Sequence, residues 1–247
     1  MHSLKKSCLI IIPAYNEEAS IGNVLLKLIS TTSYIADVIV VNDASKDQTA
    51  KIAQQHHVQV ISHCTNLGYS NAILTGLQYA DKHGYLYVIL FDADGQHDAN
   101  DIPKIFEELR KSDADVIIGS RFLRPSAYKH AFLRRIGTSI FTTAISWITG
   151  KLITDPTSGF QAIRNHAFRY YIRSGNFPEY PDANIIILML KLGFRIREIP
   201  VTMHTRLHGK GMHDSWIRNI KYTINMFYSI LFSALKATTF RDRGMLE

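Results

Sequence analysis

The sequence is short of cysteine, of long apolar runs and of glycine-rich phosphate loops, and each shortage removes a class of protein. Among its 247 residues only two are cysteines, Cys8 inside an apolar run and Cys64 beside a turn. That is too few for a disulfide framework or a thiolate metal site, and it fits a reducing compartment. No apolar run reaches the length of about 18 residues that a membrane-spanning helix needs. The apolar stretch Cys8 to Ile12 follows two lysines, but it is too short for a signal-peptide core and Pro13 closes it, so it reads as a first strand. Neither a G-x-G-x-x-G fingerprint nor a Walker loop occurs, which argues against a dinucleotide dehydrogenase and a P-loop NTPase. Internal repeats and low-complexity segments are absent too.

What is present suits a single α/β domain: 46% hydrophobic and 20% charged residues in a chain long enough to bury a sizeable core. The net charge of +7 is unevenly spread, with 9 Lys+Arg against 14 Asp+Glu in residues 1–115 and 19 against 7 in residues 116–247. From Val116 to Thr154 there are six basic residues and no acidic one. Such a half calls for an anionic partner: nucleic acid, a membrane surface or a phosphorylated substrate. The basic segments coincide with apolar helical patterns rather than an aromatic stacking platform, so nucleic acid is the last of the three.

Short β-rich runs at 8–12, 37–42, 58–62, 85–91 and 115–119 alternate with helical spacing at 17–30, 46–56, 69–83 and 101–111. This is the pattern of βαβ units around a mostly parallel sheet. Asn100 or Asp101 can cap the helix that includes Pro103, and Gly84 ends the one before. The second half is less regular, with amphipathic stretches near 131–150 and 215–236 and an apolar helix, Ala183 to Leu192, stopped by Gly193.

Parallel sheets bind ligands at the carboxyl ends of their strands. Three predicted ends are polar: Pro13-Ala14-Tyr15-Asn16-Glu17-Glu18, Asn42-Asp43-Ala44-Ser45 and Asp92-Ala93-Asp94-Gly95-Gln96-His97. If the chain stays extended, Asp92, Asp94 and Gln96 project to one side. Two carboxylates and an amide oxygen form a hard donor set suited to Mg²⁺ or Mn²⁺ shared with substrate phosphates.

PAYNEE, NDAS-x-D, DADGQH, GSR at 119–121 and DPTSGF at 155–160 together resemble glycosyltransferase family 2, in its branch that glycosylates polyprenyl phosphates, as dolichyl-phosphate mannose synthase does. The likeness spans about residues 7–205, and small bacterial members acting on undecaprenyl phosphate are similar. It implies a GT-A type Rossmann-like α/β fold and an inverting, metal-dependent enzyme that uses a nucleotide-diphospho-sugar, with UDP-glucose or UDP-N-acetylglucosamine as the expected donor. By position it implies that Pro13, Tyr15, Glu17, Asp43, Asn66 and Gly68 line the nucleotide site and that Asp92 meets the ribose and diphosphate. Asp94 and Gln96 become the metal ligands. Arg121, with Arg134 or Arg135, would grip the acceptor phosphate, and Ser158 would face acceptor or sugar. Arg206, His208 and Lys210 match a basic loop that closes over the diphosphate, with Gly209 and Gly211 as hinges; Met212 departs from the serine common there.

An acceptor phosphate is largely a dianion at neutral pH and needs no strong base. A sugar hydroxyl acceptor would need one, and Glu179 or Asp182 would be the candidates, although Asp182 is well placed as a helix cap. Residues 1–212 form the expected catalytic domain and 213–247 an amphipathic helix for the membrane interface or a small membrane protein. Phe132 to Ile153 offers a second such surface. The expected location is the cytoplasmic face of the cell membrane, as a peripheral protein. Two other readings stay open: a transferase to a glycan hydroxyl, and a non-catalytic membrane-associated binding module.

Overall fold

The computed structural model describes residues 6–123, 132–173, 177–178, 181–205 and 228–229, with the side chains of 132–137 left undescribed. Valine- and isoleucine-rich segments form a seven-stranded sheet in the order β3-β2-β1-β4-β6-β5-β7. The strands are β1 Cys8–Ala14, β2 Ala36–Asn42, β3 Gln59–Ser62, β4 Tyr87–Leu90, β5 Val116–Ser120, β6 Gln161–Arg164 and β7 Ile196–Pro200. All pairings are parallel except those of β6, which runs against both β4 and β5.

Helices cover both faces, so the central strands are apolar on both sides. Alternate residues of β1 serve opposite cores: Leu9 and Ile11 pack with α3 (Tyr69–Lys82), α5 (Phe132–Thr149), α6 (Asn165–Ile172) and α7 (Ala183–Lys191), while Ile10 and Ile12 pack with α1 (Ile21–Thr32), α2 (Thr49–Gln55) and α4 (Ile102–Lys111). α3 lies so close to β1 that a Cβ at Gly76 would come 2.3 Å from the Ile11 side chain.

Five strands and the alternating helices fall where periodicity puts them, to within a few residues. β6, α6 and β7 were not predicted: β6 and β7 are short, and β7 carries charges at Arg197 and Glu198. The expected side-chain cap of α4 is also corrected. Asp101 occupies the N-cap position, but its carboxylate accepts from Thr202 N at 2.6 Å and Lys104 Nζ at 3.2 Å, while Asp98 caps the preceding 3₁₀ turn.

β1 pairs with β2 on one side and β4 on the other, so the chain reverses direction across the sheet at β1. Such a switch point opens a crevice between the β1 and β4 carboxyl ends. Because β6 is antiparallel, its lead-in, Asp155 to Phe160, lies at this same edge.

Candidate active site

β4 ends at Leu90, and the chain turns through Asp92 to Gly95 instead of staying extended. Gly95, at φ +76°, supplies a left-handed residue that this turn requires. The simple alternation expected for Asp92, Asp94 and Gln96 therefore does not apply. Contacts link Asp94 to Gln96 instead. Gln96 N donates to Asp94 Oδ1 at 3.0 Å, and Gln96 Nε2 donates to His204 O at 3.3 Å, which turns the amide oxygen away from that carbonyl.

Among the described residues, no three His, Cys, Asp or Glu side chains converge into a closed cation cage. A hard ion such as Mg²⁺ does not require one, since it keeps waters and shares itself between one or two carboxylates and a substrate phosphate. Asp94 and Gln96, neighbours on this turn, carry oxygen donors of the kind such an ion takes.

Asp92 is held separately. Tyr69 Oη donates to its Oδ1 at 2.9 Å, while its own N–H donates to His97 Nδ1 at 3.2 Å. Burial, reinforced by the charge and hydrogen bond of Asp92, pushes the Tyr69 phenol well above its ordinary pKa, so it stays a neutral donor. His97 is buried, stacked on Phe160 with ring centres 5.0 Å apart, and braces the loop from within.

The first two strand-end loops lock together. Asn16, at φ +55°, accepts from Lys46 N at 2.8 Å, and its own N–H donates to Ser45 Oγ at 3.0 Å. Glu17 N donates to Thr49 Oγ1 at 2.8 Å, Glu18 N to Asp47 Oδ2 at 3.1 Å, and Gln48 N to Glu18 Oε2 at 2.9 Å. Pro13 is buried in β1, Tyr15 is exposed at the crevice rim, and the Glu17 carboxylate accepts from Ser20 Oγ at 2.8 Å.

Asp43 is 2% exposed and already engaged within the chain. Its carboxylate accepts from Leu67 N, Gly68 N and His63 Nδ1 at 2.7–2.8 Å, and its backbone oxygen accepts from Asn66 Nδ2 at 3.2 Å. Asp43, Asn66 and Gly68 are thus brought together, and Asp43 holds the Asn66–Gly68 turn.

Arg121 is likewise occupied. Its Nε and Nη2 make a fork to Asp155 at 2.7 and 2.6 Å, its N–H reaches the same carboxylate at 2.9 Å, and Nη2 reaches Thr157 at 2.8 Å. Asp155 is fully buried and Arg121 nearly so. Arg121, expected to grip an acceptor phosphate, anchors the Asp155–Thr157 turn in this structure. Glu198 on β7 supports it from behind, accepting from Thr154 N at 2.7 Å and Asp155 N at 2.8 Å. Burial, together with the Asp155 charge, raises the Glu198 carboxyl above its ordinary value although those amides pull the other way. Ser158 is turned inward, donating to Gly119 O at 2.6 Å, so it ties β5 to the β6 lead-in rather than facing the crevice.

Arg134 and Arg135 lie on α5, with side chains outside the described residues. Arg206, His208, Lys210, Glu179 and all of 213–247 except Tyr228 and Ser229 also lie outside them. Asp182 sits at the N-cap position of α7 without a side-chain cap bond; Asn184 Oδ1 accepts from Asp182 N at 3.0 Å and Ile185 N at 2.8 Å. Sequence reasoning passed over Tyr69, His63, Glu198 and the strap 201–205, which bonds through His204 N to Gln96 O at 2.8 Å. Only its neighbours Asn66 and Gly68, singled out from the sequence, hinted at Tyr69; the others act through long-range contacts with no local pattern.

A mostly parallel sheet of this order, with acidic loops at the switch point, is a GT-A type α/β fold. The chain belongs to glycosyl transferase family 2, whose family model matches residues 9–172. It is 31% identical over 218 residues to the UDP-N-acetylglucosamine–dolichyl-phosphate N-acetylglucosaminyltransferase of Methanococcus voltae, covering 79% of this chain and 85% of that protein. Identity to the undecaprenyl-phosphate mannosyltransferase of Micrococcus luteus is 30% over 219 residues, covering 82% and 85%. The fold also matches glucosyl-3-phosphoglycerate synthase of Mycobacterium tuberculosis, solved with Mn²⁺, UDP and glucosyl-3-phosphoglycerate, at a TM-score of 0.67 and 15% identity over 94% of this chain and 80% of that one.

Proposed function

We propose that this glycosyltransferase moves a sugar from a nucleoside-diphosphate donor, UDP-N-acetylglucosamine or UDP-glucose, to a polyprenyl phosphate of the undecaprenyl type at the cytoplasmic face of the membrane. The observation that carries this reading is the Asp92–Gln96 turn at the β1–β4 crevice, in a chain about 30% identical to enzymes named for dolichyl and undecaprenyl phosphate. Asp92 meets the ribose and diphosphate. Asp94 and Gln96 hold a Mg²⁺ or Mn²⁺ ion, which when bound offsets negative charge on the departing diphosphate.

The acceptor phosphate attacks the anomeric carbon from the face opposite the leaving nucleotide, so configuration inverts. As a dianion it needs no general base. The Arg121–Asp155 pair shapes the acceptor side, and Arg134, Arg135, Arg206 and Lys210 supply the cations that meet phosphate. The outer face of α5 supports a lipid acceptor, since Ile140, Ala144 and Trp147 line a shallow apolar groove there. Trp147 is 91% exposed.

The test is transfer from labelled UDP- and GDP-sugars to undecaprenyl phosphate in detergent with Mn²⁺ or Mg²⁺, beside a chelator control. A lipid-extractable, chelator-sensitive product is expected and identifies the sugar. Donor binding with no lipid product, but with transfer to a glycan hydroxyl, would replace this reading.

A further inference from the structure

Asp92 has a neighbour at each carboxylate oxygen, Tyr69 from the start of α3 and His97 from its own loop. Tyr69 opens α3 and donates to Oδ1 at 2.9 Å. His97 approaches the other oxygen: Asp92 N–H donates to its Nδ1, which leaves the proton of a neutral ring on Nε2, and Nε2 lies 3.4 Å from Oδ2. The two neighbours are placed by different contacts. The His97 side chain is 1% exposed, between the face of Phe160 and the edge of Phe91. Tyr69 follows Gly68, whose amide and that of Leu67 are pinned by Asp43.

A third element closes the cradle. Gly159, in the β6 lead-in, sits so near that a Cβ would lie 2.9 Å from Tyr69 Oη and 3.3 Å from Asp92 Oδ2. Only a residue without a side chain lets the phenol and carboxylate meet there. The Asp92 side chain keeps 27% exposure, so it remains open to a ligand in the crevice.

We propose that Tyr69 is a positioning residue for donor binding: with His97 behind and Gly159 beside it, it fixes the rotamer of Asp92 so that the carboxylate meets the incoming nucleotide already oriented. This rests on the reading that Asp92 contacts the donor. A carboxylate free to rotate would have to be ordered on binding, and that cost would appear in donor affinity. Asp43 contributes at one remove, by holding the turn that aims Tyr69.

The experiment is a double-mutant cycle on the full chain, with binding of UDP and of GDP, each with Mn²⁺, measured by calorimetry for wild type, Tyr69→Phe, Asp92→Asn and the double variant. Tyr69→Phe keeps the ring and removes one hydrogen bond to a charged group, so nucleotide binding should weaken about tenfold with the near-ultraviolet dichroism unchanged. In the Asp92→Asn background the same change should add nothing. Where turnover is measured, KM for the donor should rise more than kcat falls. Gly159→Ala should weaken binding in the same non-additive way, and it replaces Tyr69→Phe in the cycle if that variant does not fold. Wild-type affinity in Tyr69→Phe, with Asp92→Asn impaired, would overturn the positioning role. Equal weakening by Tyr69→Phe in both backgrounds would also overturn it, since the phenol would then act on something other than Asp92. Unchanged binding in Asp92→Asn would remove the donor-site reading itself, and the positioning role with it.

Discussion

Asp94 and Gln96 owe their arrangement to a few hydrogen bonds, and their importance is testable one atom at a time. Asp94→Asn keeps shape and removes charge, so it should lower turnover by more than about 100-fold, beyond the usual cost of disturbing a ligand's support, with the fold intact; unchanged turnover in the lipid assay would dismiss Asp94 as a ligand. Arg121 presents a different case. Its guanidinium is paired with a carboxylate that is 0% exposed, so Arg121→Ala leaves a buried charge without its partner. That should cost about 3–5 kcal/mol of stability, read as a lower urea midpoint. A variant as stable as wild type would mean that water reaches Asp155. Asp92, Asp94 and Arg121 could be picked out because polar residues after apolar strands are conspicuous. Their partners Tyr69 and Asp155 could not be paired with them, because closure of the sheet, not sequence spacing, brings these groups within hydrogen-bond reach.

At the scale of elements, the loops after β1 and β2 act as one unit because each satisfies the other's backbone amides. Asp47 is central, accepting from Glu18 N and Thr49 N. Burial alone would raise its pKa, but the Thr49 hydroxyl and amide and the Glu18 amide outweigh it and hold the carboxyl below its ordinary 3.8. A depressed carboxyl contributes stability that is fully present above the unfolded value and lost as pH falls through the folded one. Hydrogen-exchange protection of the Glu18 and Thr49 amides should therefore drop on acidification below about pH 3.8, and Asp47→Asn should flatten that dependence. Protection that stays level in wild type would show that the junction does not depend on the Asp47 charge. The strands of this unit were readable from their hydrophobic runs. β6 was not, since its four residues QAIR carry little periodic signal and its place between β4 and β5 depends on partners 43 to 77 residues away.

Along the chain, basic charge and apolar exposure fall in the same segment. The stretch 116–154 holds six basic and no acidic residues, and its helix α5 exposes Trp147 while burying Phe141 and Ile145 against the core. No described helix is long and apolar enough to cross a membrane. Contact with a lipid surface would then combine interfacial aromatic burial with attraction to anionic headgroups. Sedimentation with vesicles of phosphatidylglycerol should weaken as salt rises, and Trp147→Ser should weaken it further without changing nucleotide binding. Vesicle binding that ignores both salt and Trp147 would move the contact away from α5.

The sequence by itself determined the α/β class, the parallel strands and the acidic turn after β4, because hydrophobic period and strand-end chemistry are local properties written in consecutive residues. Only the tertiary structure decided what those polar groups are attached to: Asp43 to the Asn66–Gly68 turn, Arg121 to Asp155, Asp92 to Tyr69 and His97. Burying a charged or polar group forces it to find a partner, and which partner is available is settled by sheet order and packing.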